Sequence, residues 1–449
     1  MAGKATRRAR ACCECSASQP LHIYPGRSKN ISNTLTGKTV GVTLQDYEPI
    51  VGKGTIEELR LLAKYLSGKV VRNVNSTFVG GGVAEILTRM VPILVELGIA
   101  ARWDIIKGDN AFFKVTKKFH NALHGRAETV SPEEFELFIQ TGQKNIAELN
   151  LEGDVIFVHD PQPIMLVARK KDVGKKWLWR CHIDVSHPSP EVWSFLRKYV
   201  TEYDAAVFSA ASFCQPLPIR QLLIAPSIDP LSNKNKDLPQ SIIDKVMEKY
   251  KVPMDKPVIT QVSRFDYLKD PIGVIRAFEI VKRSVDCRLV LAGGTADDDP
   301  ESQQVLSEVL ERAGDNPDIH VLSIPPNSDI EINAIQRGST IILQKSLREG
   351  FGLTVSEALW KGKPVVASAV GGIPLQVRNR LTGLLSHGIE GTAFAIKQLL
   401  TNPEYAEKLG ANGKEHVRQN FLITRHVKDY LLAFLVTGMA EDLLRLEHS

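Results

Sequence analysis

The 449-residue chain lacks the features that mark membrane, secreted and nucleic-acid-binding proteins. It has no run of about 18 apolar residues, so no bilayer-spanning helix is expected. Of its 6 cysteines, Cys12, Cys13 and Cys15 crowd the start, with no second cluster at metal-ligand spacing, which argues against zinc. Cys181, Cys214 and Cys287 are scattered and read as small core residues of a reduced, cytoplasmic protein. Charge is also scarce where it would matter. Lys4, Arg7, Arg8, Arg10, Arg27 and Lys29 against Glu14 account for the whole net charge of +5. The remainder is neutral, which removes the electrostatic footprint of a nucleic-acid binder. The basic start has no apolar centre, so no secretory signal is expected, and Glu14 weakens its faint transit-peptide character. Residues 1–36 read as a flexible basic extension.

Two phosphate-binding signatures are absent as well. Gly80 and Gly82 would need a third glycine where Glu85 stands, so the dinucleotide fingerprint is not met. Gly37-Lys38-Thr39 would need a leading glycine where Ser32 stands, so this is no Walker loop.

What is present is a βαβ rhythm. Expected strands are Thr39–Thr43, Val70–Asn75, Ala101–Ile106, Val155–Val158, Trp177–Cys181, Ala205–Phe208 and Leu222–Ala225. Helical patterns such as Ile56–Leu66, Ala84–Leu97 and Pro132–Leu149 separate them. The proline-bounded polar run after Pro226, with Ser232 to Asp237, reads as an interdomain linker. A second series follows: Val258–Gln261, Leu289–Ala292, Ile319–Leu322, Thr340–Leu343 and Pro364–Ala367, with helices Pro271–Val285, Gln303–Ala313, Glu331–Arg337 and Leu353–Lys361. Ile423–Leu446 is a helical pattern attached to no further strand. The expectation is an α/β protein of two Rossmann-like, doubly wound domains, 37–230 and 231–420, facing across a cleft, with 421–449 as a terminal helix. Ligands of such sheets bind beyond the carboxyl ends of the strands.

The most informative stretch lies in the second domain. Arg348 to Glu357 runs from a strand through a glycine-rich loop into a helix, with Glu349 in the loop and Glu357 one to two turns further on. Gly350 and Gly352 allow close backbone approach, Phe351 and Leu353 flank them, and the helix start offers unpaired amides. Amides for a phosphate and carboxylates for hydroxyls suit a nucleotide-sugar. The competing reading is a pair of glutamates that only complement a helix dipole. Arg264 and Lys269, in the loop after Val258–Gln261, are two cations able to neutralise a leaving diphosphate; alone they read equally as solvated charges. Gly81 and Gly82, in the loop after Val70–Asn75, permit close approach to an anion or sugar. His159-Asp160 and Arg180-Cys181-His182-Ile183-Asp184 end two further strands of the first domain. Asp297-Asp298-Asp299 imitates a metal-binding pair but reads as a solvated turn, and with Arg264 and Lys269 available no metal is expected.

Glu349 and Glu357 in this setting, with Ser263-Arg264-Phe265-Asp266 and Lys269 upstream, resemble the retaining glycosyltransferases of the GT-B fold, large family four. The stretches Gly80 to Glu85, Phe119 to Leu123, His159 to Gln162, Trp179 to Asp184, Pro226 to Leu231 and Gly371-Gly372-Ile373 resemble, within it, the trehalose glycosyltransferring synthases, over about residues 37 to 420. The resemblance implies reversible transfer of glucose between a nucleoside-diphosphate glucose and free glucose to make trehalose, with no cofactor or metal. It implies that Glu349 holds hydroxyls of the donor glucose, Glu357 the ribose, and Arg264 and Lys269 the diphosphate. The loop at Gly80 to Gly82 and His159 would line the sugar side, with Asp160, Arg180, His182 and Asp184 nearby. It further implies front-face attack without a protein nucleophile, a C-terminal helix returning to the first domain, and a homodimer. Trehalose phosphorylase, a sugar-nucleotide epimerase and a silent nucleotide-sugar binder stay open as alternatives at this point.

Overall fold

The computed structural model describes residues 34–35, 41–78, 81–173, 175–294 and 300–438. Cys12, Cys13, Cys15, Gly80 and Asp297 to Asp299 lie outside them.

Thirteen strands occur among the described residues, in two sheets. The first contains β1 (Thr34–Leu35), β2 (Val70–Asn75), β3 (Ala100–Ile105), β4 (Val155–His159), β5 (Lys176–Arg180), β6 (Ala205–Phe208) and β7 (Arg220–Leu223), in the order β1-β3-β2-β4-β5-β6-β7. The second contains β8 (Val258–Val262), β9 (Arg288–Gly293), β10 (Ile319–Ser323), β11 (Ile341–Gln344), β12 (Val365–Ser368) and β13 (Leu384–Ser386), in the order β10-β9-β8-β11-β12-β13. All pairings are parallel except β1 with β3. Helices cover both faces of each sheet, so strands such as Val258–Val262 and Ile341–Gln344 are buried at every residue and must be apolar on both sides.

Strand order reverses between β2 and β4 in the first sheet, and between β8 and β11 in the second. At each reversal adjacent loops diverge and leave a crevice, the general ligand site of open α/β sheets. The ends of these four strands and the segments that follow carry Gly81 and Gly82, His159 and Asp160, Arg264 and Lys269, and Glu349. Topology alone therefore places most of the candidate residues at two facing crevices.

One expectation is corrected, and two elements gain detail. Residues 41–43 form no strand; the edge of the first sheet is instead Thr34–Leu35, inside the stretch read as a flexible extension. Within the run Ser232 to Asp237, read as the interdomain linker, Asn235 is fully buried and donates to the Asp229 carbonyl at 3.0 Å. The helix starting at Ile423 runs to Gly438 among the described residues. It packs on the first domain, with Val427, Tyr430 and Phe434 in one core with Ile56, Leu87 and Phe157. Tyr430 meets Phe157 edge-on at 4.9 Å, a favourable aromatic geometry. No helix among the described residues is long and apolar enough to cross a membrane.

Candidate active site

Gln261, buried near the end of β8, holds the two loops of the second crevice together. Its side chain donates to the Lys269 carbonyl at 2.9 Å and accepts from the Lys345 amide at 2.8 Å. Lys269 is thereby aimed across the crevice, where its ammonium donates to the Glu349 carboxylate at 2.6 Å. Ser346 Oγ donates to the same oxygen at 3.2 Å. Such a carboxylate is fixed, charge-balanced and still able to accept from a sugar hydroxyl. Arg264 lies on the same loop as Lys269, touches Asp266 at 3.3 Å and keeps 58 % of its side chain exposed, free to meet an anion.

The glycines around Glu349 are there because nothing larger fits. A Cβ on Gly371, whose φ is +53°, would lie 1.6 Å from the Glu349 carbonyl oxygen, and a Cβ on Gly350 would lie 2.7 Å from the His182 carbonyl of the facing domain. Gly352 takes a left-handed conformation and opens the helix Leu353–Trp360 with no side-chain cap. The Val355 amide bonds back to the Gly352 carbonyl at 3.0 Å, and no side chain caps the amides of Leu353 and Thr354, which lie at the positive end of the helix dipole.

On the first-domain side, β4 and β5 end in a layered histidine arrangement. His159 is 1 % exposed; its Nε2 faces the Asn73 carboxamide oxygen at 3.2 Å and its Nδ1 faces His182 Nε2 at 3.2 Å. With the oxygen of Asn73 accepting, the His159 proton sits on Nε2 and His182 donates to Nδ1. Burial, then the Arg180 guanidinium, push His159 down to about 3, so it stays neutral. Burial and Arg180 lower His182 as well. His159 was expected to line the sugar side, but it sits one layer behind, and His182 meets the cavity. Arg180 is also withdrawn: it is fully buried, donates to Ser209 Oγ at 3.0 Å and reaches no described cavity. Both recede for one reason, because strand residues alternate faces and the last one is still within the sheet.

Asp160 does reach the cavity. Its φ of +64° is costly for a non-glycine residue. Its amide donates to the Arg180 carbonyl at 2.7 Å, its carbonyl accepts from Trp179 Nε1 at 3.0 Å, and its carboxylate accepts from the His182 amide at 2.8 Å. Burial pushes its carboxyl up to about 6 against the opposing His182 amide and Arg180. Asp184 spends its Oδ1 on Ser186, accepting from the amide at 3.0 Å and the hydroxyl at 2.6 Å. It shapes the loop that abuts Gly350 and Gly371.

A cavity of about 210 Å³ lies between the two domains, with Gly82, His120, Asp160, His182, Phe351 and Leu353 in its wall. A Cβ on Gly82 would lie 3.1 Å from Leu353 Cδ1, so this glycine sets how closely the domains approach. Among the described residues, no lysine or arginine lines the cavity. A second cavity, of about 710 Å³, lies beside it across the helix Gly81–Glu96 and includes Glu85, Arg89, Lys234, Asn327 and Asp329. Glu357 borders this side. It is 2 % exposed, Oε1 is 3.9 Å from the Lys234 ammonium, and Oε2 has no hydrogen-bond partner among the described residues. Burial raises its carboxyl.

The structure thus brings Lys269 and Glu349 to Leu353 into one cluster, with Gly82, Asp160 and His182 of the first domain facing it. Glu357 lies one helical turn beyond. His120 and His124 are the members that sequence reasoning did not assign. They end the helix Asn110–Leu123, which Asp109 caps by accepting from the Phe112 amide at 2.8 Å. Their rings stand 4.6 Å apart, and the Nδ1 atoms of both are buried without a partner among the described residues. Burial, then His124, Lys117 and Arg264, lower His120. The signal was an acidic cap followed by Phe112, Val115, Phe119 and Leu123 at helical spacing.

Comparison with known proteins agrees with this geometry. Residues 73–215 match the family described as trehalose synthase, N-terminal domain, and residues 242–416 match glycosyl transferases group 1. A trehalose synthase of Pyrococcus horikoshii is 44 % identical over 396 residues, 86 % of this chain and 95 % of that one. A trehalose synthase of Rubrobacter xylanophilus is 42 % identical over 401 residues, 87 % and 96 % of the two chains. A trehalose phosphorylase of Pleurotus pulmonarius is more distant, 29 % identical over 430 residues, and this chain spans only 58 % of its length. In fold, the chain is similar to an α,α-trehalose-phosphate synthase (UDP-forming) of Burkholderia xenovorans solved with glucose-6-phosphate. The TM-score is 0.66 at 16 % identity, over 82 % of this chain and all of that one. The chain belongs to the trehalose synthase family and is a trehalose-related glycosyltransferase of the GT-B fold.

Proposed function

We propose that the protein moves glucose, with retention of configuration, between a nucleoside-diphosphate glucose and free glucose, making trehalose reversibly. Arg264, Lys269 and the open amides of the helix at Leu353 suit the diphosphate. Glu349, held by Lys269 and Ser346, suits the hydroxyls of the transferred glucose. Glu357, with one oxygen unpartnered, suits the donor ribose. On this reading the bond from the anomeric carbon to the leaving phosphate oxygen breaks while the acceptor oxygen bonds to the same face. The acceptor proton passes to that phosphate oxygen, and no side chain is needed as nucleophile. The cleft must exclude water for glucose to compete with it. The reading includes a cytoplasmic enzyme that needs no metal and works as a homodimer.

The observation that carries the choice of acceptor is the wall of the 210 Å³ cavity. It is smaller than the roughly 300–1,000 Å³ of pockets for drug-sized ligands, the scale of one sugar ring. It offers Asp160, His182 and His120 among apolar side chains and, among the described residues, no lysine or arginine. A phosphorylated sugar would bring about two negative charges next to Asp160 with no cation in the cavity wall to pair with them directly. A neutral hexose needs only hydrogen bonds. The test is acceptor competition: with donor present, glucose should be consumed and glucose 6-phosphate should not, and efficient use of the phosphorylated sugar would refute the assignment. Inorganic phosphate in place of the nucleoside diphosphate tests the phosphorylase reading. The free oxygen of buried Glu357 favours a ligand with hydroxyls over bare phosphate.

A further inference from the structure

Lys234 stands where three parts of the molecule meet. It belongs to the segment that joins the domains. Its ammonium donates to Glu85 of the first domain at 2.8 Å, and lies 3.9 Å from Glu357 and 4.0 Å from Asp329 of the second. Its side chain is 22 % exposed, at the rim of the 710 Å³ cavity. Burial works against its charge, yet Glu357, Glu85 and Asp329 together raise it above the ordinary lysine range. The neighbouring Asn235 is fully buried and accepts from Lys361 Nζ at 3.1 Å; Lys361 also donates to the Glu357 carbonyl at 3.1 Å. Of two consecutive residues of the joining segment, Lys234 thus lies beside the Glu357 carboxylate and reaches the facing domain, while Asn235 holds Lys361, which in turn bonds the Glu357 backbone carbonyl.

From this geometry we infer that Lys234 is a positioning residue: it keeps the Glu357 carboxylate ionised and oriented for the donor's ribose, and couples that site to the first domain through Glu85. The inference rests on the reading of Glu357 as a ribose acceptor. The groups facing Glu357 are Lys234, Lys361, Glu85 and Asp329, with Arg337 beyond Lys361. Burial favours the neutral carboxyl, and the two lysines oppose it. Burial also lowers the Lys361 ammonium, which leaves Lys234 as the steadier cation. A ribose hydroxyl donates to the ionised carboxylate. With Lys234 gone, Glu357 takes up a proton at higher pH, and donor affinity is lost earlier as pH falls.

The experiment is calorimetry of the full chain with UDP and ADP from pH 5.5 to 8.5, together with donor kinetics, on wild type, Lys234→Met, Lys234→Arg, Glu85→Gln and Glu357→Gln. Lys234→Met should weaken nucleoside-diphosphate binding about tenfold at pH 7 and move the acid loss of affinity to higher pH. KM for the donor should rise more than kcat falls. Lys234→Arg should restore most of the affinity. Glu85→Gln, which weakens the tie to the first domain and removes a negative charge facing Glu357, should raise donor KM severalfold while the acid loss of affinity moves, if at all, to lower pH, opposite to Lys234→Met. Wild-type affinity and pH dependence in a folded Lys234→Met would overturn the role at Glu357, and wild-type donor KM in Glu85→Gln would overturn the coupling. If Glu357→Gln binds nucleoside diphosphate like wild type, the ribose reading itself fails, an outcome separate from either of these.

Discussion

Gly371→Ala removes no functional group, yet it should disable the protein. The new Cβ would lie 1.6 Å from the Glu349 carbonyl oxygen, whereas ordinary contact begins near 3.4 Å, so the two backbones must part by nearly 2 Å. A misplacement of about 1 Å at a reacting centre can cost about 100-fold in rate. Glu349 carries the Lys269 contact, so kcat should fall at least about 100-fold. The left-handed φ of +53° adds a strain of about 1–2 kcal/mol for any residue with a Cβ. Gly362→Ala is the internal control. Its φ of +70° carries the same strain, but nothing lies within 4 Å of the added methyl. It should lose about 1 kcal/mol of stability and keep its kcat. Steady-state transfer assays and thermal unfolding on the two variants separate displacement from strain. A folded Gly371→Ala with kcat within a few-fold of wild type would refute the claim that the Glu349 backbone position governs transfer, and equal losses in both variants would point to strain alone.

Glu349→Gln should cut transfer by about 1,000-fold while nucleoside-diphosphate affinity, read by calorimetry, stays within about threefold, because its proposed partner is the sugar. With its carboxyl pushed up to about 6, Asp160 becomes neutral as pH falls through that value. It then donates where it formerly accepted, so KM for glucose should rise below about pH 6 in wild type and stay flat in Asp160→Asn. Treatment with EDTA should leave initial rates unchanged, and recovery on adding a divalent cation after a loss would contradict the metal-free account.

The pattern of success in reading the sequence has physical causes. Strands such as Val258–Val262 and Ile341–Gln344 are covered on both faces, so their apolar runs were visible without context. The crevice residues Lys269 and Glu349 were legible because loops after strands at a reversal of order must carry the polar groups. The two-residue edge strand Thr34–Leu35 has no periodicity to read and exists only by pairing with β3. Lys234 sat in a polar run indistinguishable from a solvated linker, and only the approach of Glu85 and Glu357 from different domains gives it meaning. His159 and Arg180 were placed on the correct strands but one layer too far forward. Whether the last residue of a buried strand faces sheet or cleft depends on pleat and twist, which a local pattern does not record. His120 was within reach of a helix reading, but its neighbourhood with Asp160 and His182 is tertiary.

The most direct test is to incubate purified protein with trehalose and a panel of nucleoside diphosphates, following the anomeric protons by NMR. The account predicts free glucose and α-configured nucleoside-diphosphate glucose in equal amounts, with no product when the diphosphate is omitted. Formation of glucose 1-phosphate with inorganic phosphate alone, or an activated sugar of β configuration, would contradict it.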